Sequence, residues 1–237
     1  MDLPANLFKR AITSGKTPVG TWLMSGAPST AEALGCAGFD FLVVDMEHVP
    51  IDVAEMIGLL RTIAGTPAQA VVRPPWNDMV MVKRAMDAGA TSLLFPFVQN
   101  ADEARRAVAC TRYPPAGIRG VAGTHRGSRY GAVTDYLKRA NDEVCVVVQI
   151  ETPAALERLP EIAAVPGVDS IFVGPGTCRR RWATSATSAI RTCRPSSLPP
   201  PPSAGSSASP AASSAHRRKW SRSSWSTAIR GLRSVPT

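Results

Sequence analysis

The chain has 237 residues, enough for one large domain or two small ones, and a formal net charge of +9. That charge suggests a nucleic-acid or membrane-surface partner, but residues 178–237 hold eleven basic residues and no acid, leaving 16 basic and 18 acidic residues in 1–177. The first three quarters therefore reads as a slightly acidic globular sequence, and the basicity belongs to the tail.

In chain order, the segments PVGTWLM (18–24), FDFLVVDM (39–46), AVVRP (70–74), TSLLFPFV (91–98), VCVVVQIE (144–151) and VDSIFVGP (168–175) are continuous apolar runs rich in Val, Ile and Phe. Runs of this kind are strands covered on both faces, as in parallel sheets. GVAGT (120–124) reads as a further short strand before the helical VTDYLKRA. Helix starts lie between the runs. Asp52 precedes VAEMIGLLRTIA, Asn100 precedes ADEARRAVACTR with Glu103 at the capping-box position, and Thr152 precedes PAALERL with proline first in the helix. Repeating β–α units about 30 residues apart predict right-handed crossovers and a parallel sheet. The fold class is α/β. Seven candidate strands before residue 177 fall one unit short of a (β/α)₈ barrel, which needs eight strands and roughly 250 residues.

Two domains of text follow: 1–176, a partial barrel, and 177–237, a Ser-, Pro-, Ala- and Arg-rich segment with no apolar period, predicted to be a disordered basic tail. Cys36, Cys110, Cys145, Cys178 and Cys193 show no metal-ligand spacing and read as reduced thiols. No apolar run approaches the roughly 20 residues of a membrane span, and the N-terminus lacks a signal-peptide core. A soluble, cytoplasmic protein with neither nucleic-acid nor membrane partners is expected.

In parallel α/β sheets catalytic groups gather at the carboxyl ends of the strands. Those ends read Asp45-Met-Glu47-His48, then Arg73-Pro-Pro-Trp-Asn-Asp, Gln149-Ile-Glu151-Thr and Gly174-Pro-Gly176-Thr177. Each has a structural alternative. His48 could be a satisfied loop histidine, and Asp87 a solvated or capping carboxylate. Arg73 could pair with a carboxylate or grip a substrate oxyanion through its fork of donors, and Glu151 could be an internal ion-pair partner, even of Arg73. The lysines before the tail, Lys9, Lys16, Lys83 and Lys138, fall in helical or loop segments, which argues against Schiff-base chemistry.

The combination DMEHVP, VVRPPWND, LFPFVQNADEA, RYPPAGIRGV and VQIETP resembles the HpcH/HpaI aldolase family over about residues 5–176. The resemblance implies a (β/α)₈ TIM barrel, assembled as a homo-hexamer (a trimer of dimers with a swapped C-terminal helix). It implies metal-dependent cleavage of a 4-hydroxy-2-oxo acid into pyruvate and an aldehyde, in the catabolism of aromatic compounds. By the same resemblance His48, with Asp87 as its partner, activates a metal-bound water as general base, and Arg73 holds the pyruvyl oxygen and stabilises the enolate. Trp22, Gln149, Gly174 and Gly176 join Arg73 around the substrate, and Glu151 is one of two carboxylate metal ligands. Oxygen ligands suit Mg²⁺, Mn²⁺ or Co²⁺, acting as Lewis acid on the 2-oxo acid. The second ligand in the family is an aspartate. Here Thr177 stands in its place.

That departure has a reading in the genetic code. Loss of one base at codon 176 turns Gly-Asp-Leu into the observed Gly-Thr-Cys, and restoring the frame downstream returns Asp, Leu and, through the single tryptophan codon at Trp182, Gly. The last acid of the chain is Asp169, with 68 acid-free residues after it. Residues 177–237 are therefore predicted to be a frameshift product. Two alternatives stay open: an inactive aldolase remnant, or a protein whose basic tail binds nucleic acid or anionic membrane.

Overall fold

Short β-branched runs and helices with side-chain caps alternate along the chain, and the computed structural model, which describes residues 1–174, turns that alternation into a parallel sheet. In chain order the elements are α1 (Leu7–Thr13), β1 (Gly20–Leu23), α2 (Pro28–Gly35), β2 (Phe41–Asp45), α3 (Val53–Ile63), β3 (Gln69–Arg73), α4 (Met79–Asp87), β4 (Ser92–Phe95), α5 (Ala101–Thr111), a 3₁₀ turn (Arg126–Gly131), α6 (Tyr136–Arg139), β5 (Cys145–Ile150), α7 (Pro153–Glu157), α8 (Leu159–Ala163) and β6 (Ser170–Val173). The strands pair in order from β1 to β6, all parallel. The sheet is curled: Trp22 of β1 and Phe172 of β6, its two outer strands, meet edge-on with ring centroids 5.9 Å apart.

The predicted caps form. Asp52 caps α3 in a capping box with Glu55, Asn100 accepts from the Glu103 amide, and Thr152 accepts from the Ala155 amide. Glu103 reaches one residue further back than a capping box requires, taking the Gln99 amide at 2.8 Å. Two caps went unread: Asn6 on α1 and Asp78 on α4.

Six strands are present among the described residues, where seven were expected. Residues 120–124 are not one of them. Gly120 to Thr124 are exposed, Val121 at 60 %, and a side chain placed at Gly123 would meet nothing within 4 Å. Small residues that bury neither face gain too little to hold a strand against its entropy. The helix expected over VTDYLKRA shrinks to Tyr136–Arg139. The segment at 168–175 is thus β6 rather than a seventh strand. Gly176, Thr177 and the predicted tail lie outside the described residues.

The period of two along each strand sorts side chains onto two faces. Leu42, Val44, Val72, Leu93, Phe95, Val146, Val148 and Ile150 face outward against the helices in the larger core. Phe41, Val43, Val71, Leu94, Cys145, Val147 and Phe172 face inward, with Phe8 and Ile12 of α1 packed among them. Each of these large side chains contributes about 1.5–3 kcal/mol by leaving water. Helix α1 thereby plugs the amino end of the sheet. Asn6 fastens it there through the Thr91 carbonyl (3.2 Å), Ser92 Oγ (2.9 Å) and the Glu143 carbonyl (3.0 Å). No helix among the described residues is long and apolar enough to cross a membrane.

Candidate active site

The inward face changes character toward the carboxyl end. Continuing the alternation Phe41, Val43 along β2 brings Asp45 inward. Val71 along β3 brings Arg73, and Cys145 and Val147 along β5 bring Gln149 and then Glu151. Parallel register sets Asp45 directly beside Arg73. The two form a forked pair, Arg73 Nε donating to Asp45 Oδ1 at 2.9 Å and Nη2 to Oδ2 at 2.6 Å, with side chains 7 % and 1 % exposed. Burial tends to raise the Asp45 carboxyl, but the hydrogen bonds and charge of Arg73, with the amides of Glu47 and His48, outweigh it and hold Asp45 below the usual carboxylate range.

The rest of the guanidinium turns to the site. Nη1 reaches Gln149 Oε1 at 3.4 Å and lies 3.0 Å from Glu47 Oε2, while Cζ stacks 4.2 Å from the Trp22 ring centroid. Gln149 Nε2 donates to Glu151 Oε1 at 2.6 Å. Arginine is thus fixed on one edge by Asp45 and on one face by Trp22, with its remaining donors directed at the mouth.

Glu47 is the anomalous carboxylate. Its Oε2 is buried and, although close to Arg73, has no aligned hydrogen bond. Burial pushes its pKa up, against the charges of Arg73 and His48 and with those of Glu151 and Asp45. Gly174 leaves room beside these groups: a side chain there would meet Glu151 Oε1 at 3.2 Å and Gln149 Nε2 at 3.4 Å. A buried oxygen without a donor, next to a second carboxylate and a space kept open by glycine, fits a hard divalent cation. Glu47 and Glu151 are the oxygen donors on hand; no group of three or more His, Cys, Asp or Glu side chains placed to hold a metal occurs among the described residues.

Of the residues singled out in the sequence, Trp22, Arg73, Gln149, Glu151 and Gly174 are brought together here. His48 stands at the rim, its side chain 66 % exposed and its Nε2 3.6 Å from Glu47 Oε1. Asp87 is elsewhere. Helix α4 leaves the carboxyl end of β3 and returns to the amino end of β4, so its last residue lies at the far end of the sheet. There Asp87 pairs with buried Arg119 at 2.7 Å and lies 3.8 Å from His125 Nε2. The His48–Asp87 pair does not form within one chain. Lys9 serves the amino end, donating to the Asp142 and Val144 carbonyls.

Asp45 and Glu47 are the site residues that motif reading passed over. Asp45 was legible, because it shares the parity of Phe41 and Val43. Glu47 lies past the strand, where alternation no longer predicts direction.

Comparison with known proteins supplies a family. The family model for HpcH/HpaI aldolase/citrate lyase matches residues 19–185. The chain is 50% identical over 175 residues (74% of this chain, 69% of the relative) to a hydroxypyruvate/pyruvate aldolase of Sagittula stellata. It is 52% identical over 171 residues (72% and 65%) to a 4-hydroxy-2-oxo-heptane-1,7-dioate aldolase of Escherichia coli. The crystal structure of an HpcH/HpaI aldolase/citrate lyase family protein from Burkholderia cenocepacia superposes with a TM-score of 0.74 at 41% identity, covering 80% of this chain and 76% of that one. The chain spans about two thirds of the length of the two curated relatives. With the resemblance in its motifs, the parallel sheet and the charged carboxyl mouth all in agreement, the chain belongs to the HpcH/HpaI aldolase/citrate lyase family.

Proposed function

We propose that this sequence encodes a divalent-metal-dependent aldolase that cleaves a 4-hydroxy-2-oxo acid to pyruvate, or a close 2-oxo acid, and an aldehyde. The observation that carries the reading is Arg73, locked by Asp45 and Trp22 so that its remaining donors face the half-buried Glu47 and Gln149, which in turn donates to the buried Glu151. Cleavage removes the proton of the 4-hydroxyl, breaks the C3–C4 bond and places the electron pair on the 2-oxo oxygen as an enolate, which takes a proton at C3 to become pyruvate. A preorganised guanidinium is suited to that developing negative charge, and such donors are each worth about 10²–10³-fold in rate. His48, exposed at the rim and balanced by Glu47, is the group placed to take the hydroxyl proton. Glu151 and Glu47 would hold the cation, whose chemistry when bound is Lewis-acid polarisation of the 2-oxo group.

The His48–Asp87 pair implied by the family pattern would then form between two copies of the chain in the homo-oligomer, since the two residues occupy opposite ends of one sheet. Mixing inactive His48→Ala and Asp87→Ala chains, both in the frame-restored version, tests this. Recovered activity in the mixture is expected, and none would remove Asp87 from the site.

A second reading applies to the chain as written. Thr177 offers no carboxylate at the position of the family's second ligand, and residues 177–237 read as an out-of-frame product, so this chain would itself be an inactive remnant. Pyruvate release by the written chain and by a frame-restored version, each with and without chelator, separates the readings. Chelator-sensitive release from the restored version alone is expected. Equal activity from both would sink the remnant reading, and chelator-insensitive activity would sink the metal. A panel of 4-hydroxy-2-oxo acids, including the heptanedioate and adducts of hydroxypyruvate, would identify the aldehyde partner.

A further inference from the structure

The amino end of the sheet carries a feature that the proposed reaction leaves unused. A cavity of about 180 Å³ lies between the ends of α3 and α4, the starts of β3 and β4, and the 126–131 turn. It is more than ten times the roughly 10–15 Å³ that one water requires. Its polar lining includes Thr66, Gln69, Arg126, Arg129, Tyr136 and Glu143. Glu143 is already engaged, accepting from the Asn6 amide at 2.6 Å and from Arg10 at 3.3 Å. Arg126 and Arg129 meet no carboxylate in an ion pair among the described residues. Arg126 lies across Gly89, where any side chain would run into its guanidinium, and donates Nη1 to the Ala88 carbonyl at 2.9 Å. Burial first, and then the charges of Arg129 and Arg61, lower its pKa.

The structural alternative is that these arginines serve helix ends. Arg61 sits in the last turn of α3, and Arg126 caps α4 through Ala88. The α4 C-terminus carries about −0.5 of a charge, which offsets roughly a quarter of the two positive charges at the cavity and leaves about one and a half uncompensated. The backbone adds a second observation. Arg129 (φ 52°, ψ 43°) and Tyr130 (φ 56°, ψ 36°) are both left-handed, followed by Gly131 at φ 88°. Such residues cost about 1–2 kcal/mol each, and strain of this kind collects at ligand clamps. Here it presents Arg129 to the cavity beside Arg126.

We propose that this cavity binds a small tetrahedral oxyanion, phosphate or a phosphomonoester group, clamped by Arg126 and Arg129. Guanidinium forks match phosphate oxygens two at a time, which is the geometry that converging, unpaired arginines offer. The site lies at the opposite end of the sheet from the aldolase mouth and does not depend on that reading.

Titration calorimetry of the full chain with inorganic phosphate and with glycerol phosphate, against sodium chloride at matched ionic strength, tests it. Saturable binding of either phosphate and none of chloride is expected. A free-ion site takes inorganic phosphate alone, and a metabolite site takes the ester as well or better. Arg126→Gln also removes the contact to α4, so the exposed Arg129→Gln and the charge-reversing Arg129→Glu decide the matter. Each is expected to stay folded by circular dichroism and to weaken binding, Arg129→Gln by about tenfold or more. Heats indistinguishable from those of chloride, or phosphate binding unchanged in both variants, would overturn the proposal.

Discussion

The two ends of one inward face are built to opposite rules. At the amino end the strands start with Phe41, Cys145 and Ser92, α1 covers them with Phe8 and Ile12, and Asn6 spends its amide on three acceptors. At the carboxyl end the same strands finish in Asp45, Arg73 and Gln149, and a buried oxygen of Glu47 is left without an aligned donor. On this inward face the amino end is mainly apolar; the carboxyl end holds charge that packing alone does not require. The contrast teaches where stability and chemistry are kept apart in a parallel barrel-type sheet.

The strongest way to break the contrast is to remove Arg73. Arg73→Met leaves Asp45 buried without its partner, and equilibrium denaturation is expected to show a loss of about 3–5 kcal/mol, together with loss of pyruvate release in a frame-restored enzyme. Phe8→Ala is the matching lesion at the other end. It should cost a similar 3–5 kcal/mol by cavity formation, while turnover per folded molecule stays unchanged. If Phe8→Ala lowered turnover as much as Arg73→Met does, the two ends would not be separable.

Smaller effects sharpen the picture. Glu47→Gln removes a carboxylate whose ionised form is disfavoured by burial, so stability is expected to stay level or rise by up to about 1 kcal/mol while activity falls. A variant that lost both would assign Glu47 to packing. The smallest effect is the pH dependence of stability. Glu47, raised in the folded chain, contributes stability that is fully present below 4.5 and lost as pH rises through its folded value. Asp45, depressed in the folded chain, contributes stability present above 3.8 and lost as pH falls through its folded value. Denaturation curves from pH 3 to 7 should therefore lose their upper slope in Glu47→Gln and keep the acid-side loss.

Much of this was legible before any coordinates. The caps at Asp52, Asn100 and Thr152 are local hydrogen bonds between residues two or three apart, and six of the seven expected strands are runs whose composition requires burial on both faces. The segment at 120–124 misled because Gly, Val and Thr suit a strand locally, while nothing packs against them in the fold. Arg73, Gln149 and Glu151 could be singled out because each ends an apolar run. The bond from Arg73 to Asp45 was not legible: Glu151 was the partner the sequence offered, and only the β2–β3 register sets Asp45 beside Arg73 instead.

By itself, the amino-acid sequence determined the α/β alternation, the strand ends that carry charge, the family motifs and the change of composition at the tail. These follow from local propensity, side-chain period and residue identity. Tertiary structure alone decided that Trp22 stacks on Arg73, that Glu47 is half-buried against Arg73, and that Asp87 lies a sheet's length from His48. It also brought Arg126 and Arg129 to one cavity with the ends of α3 and α4. Each of these joins residues from different β–α units, and such distances are set by register, curl and helix direction, which no single segment encodes.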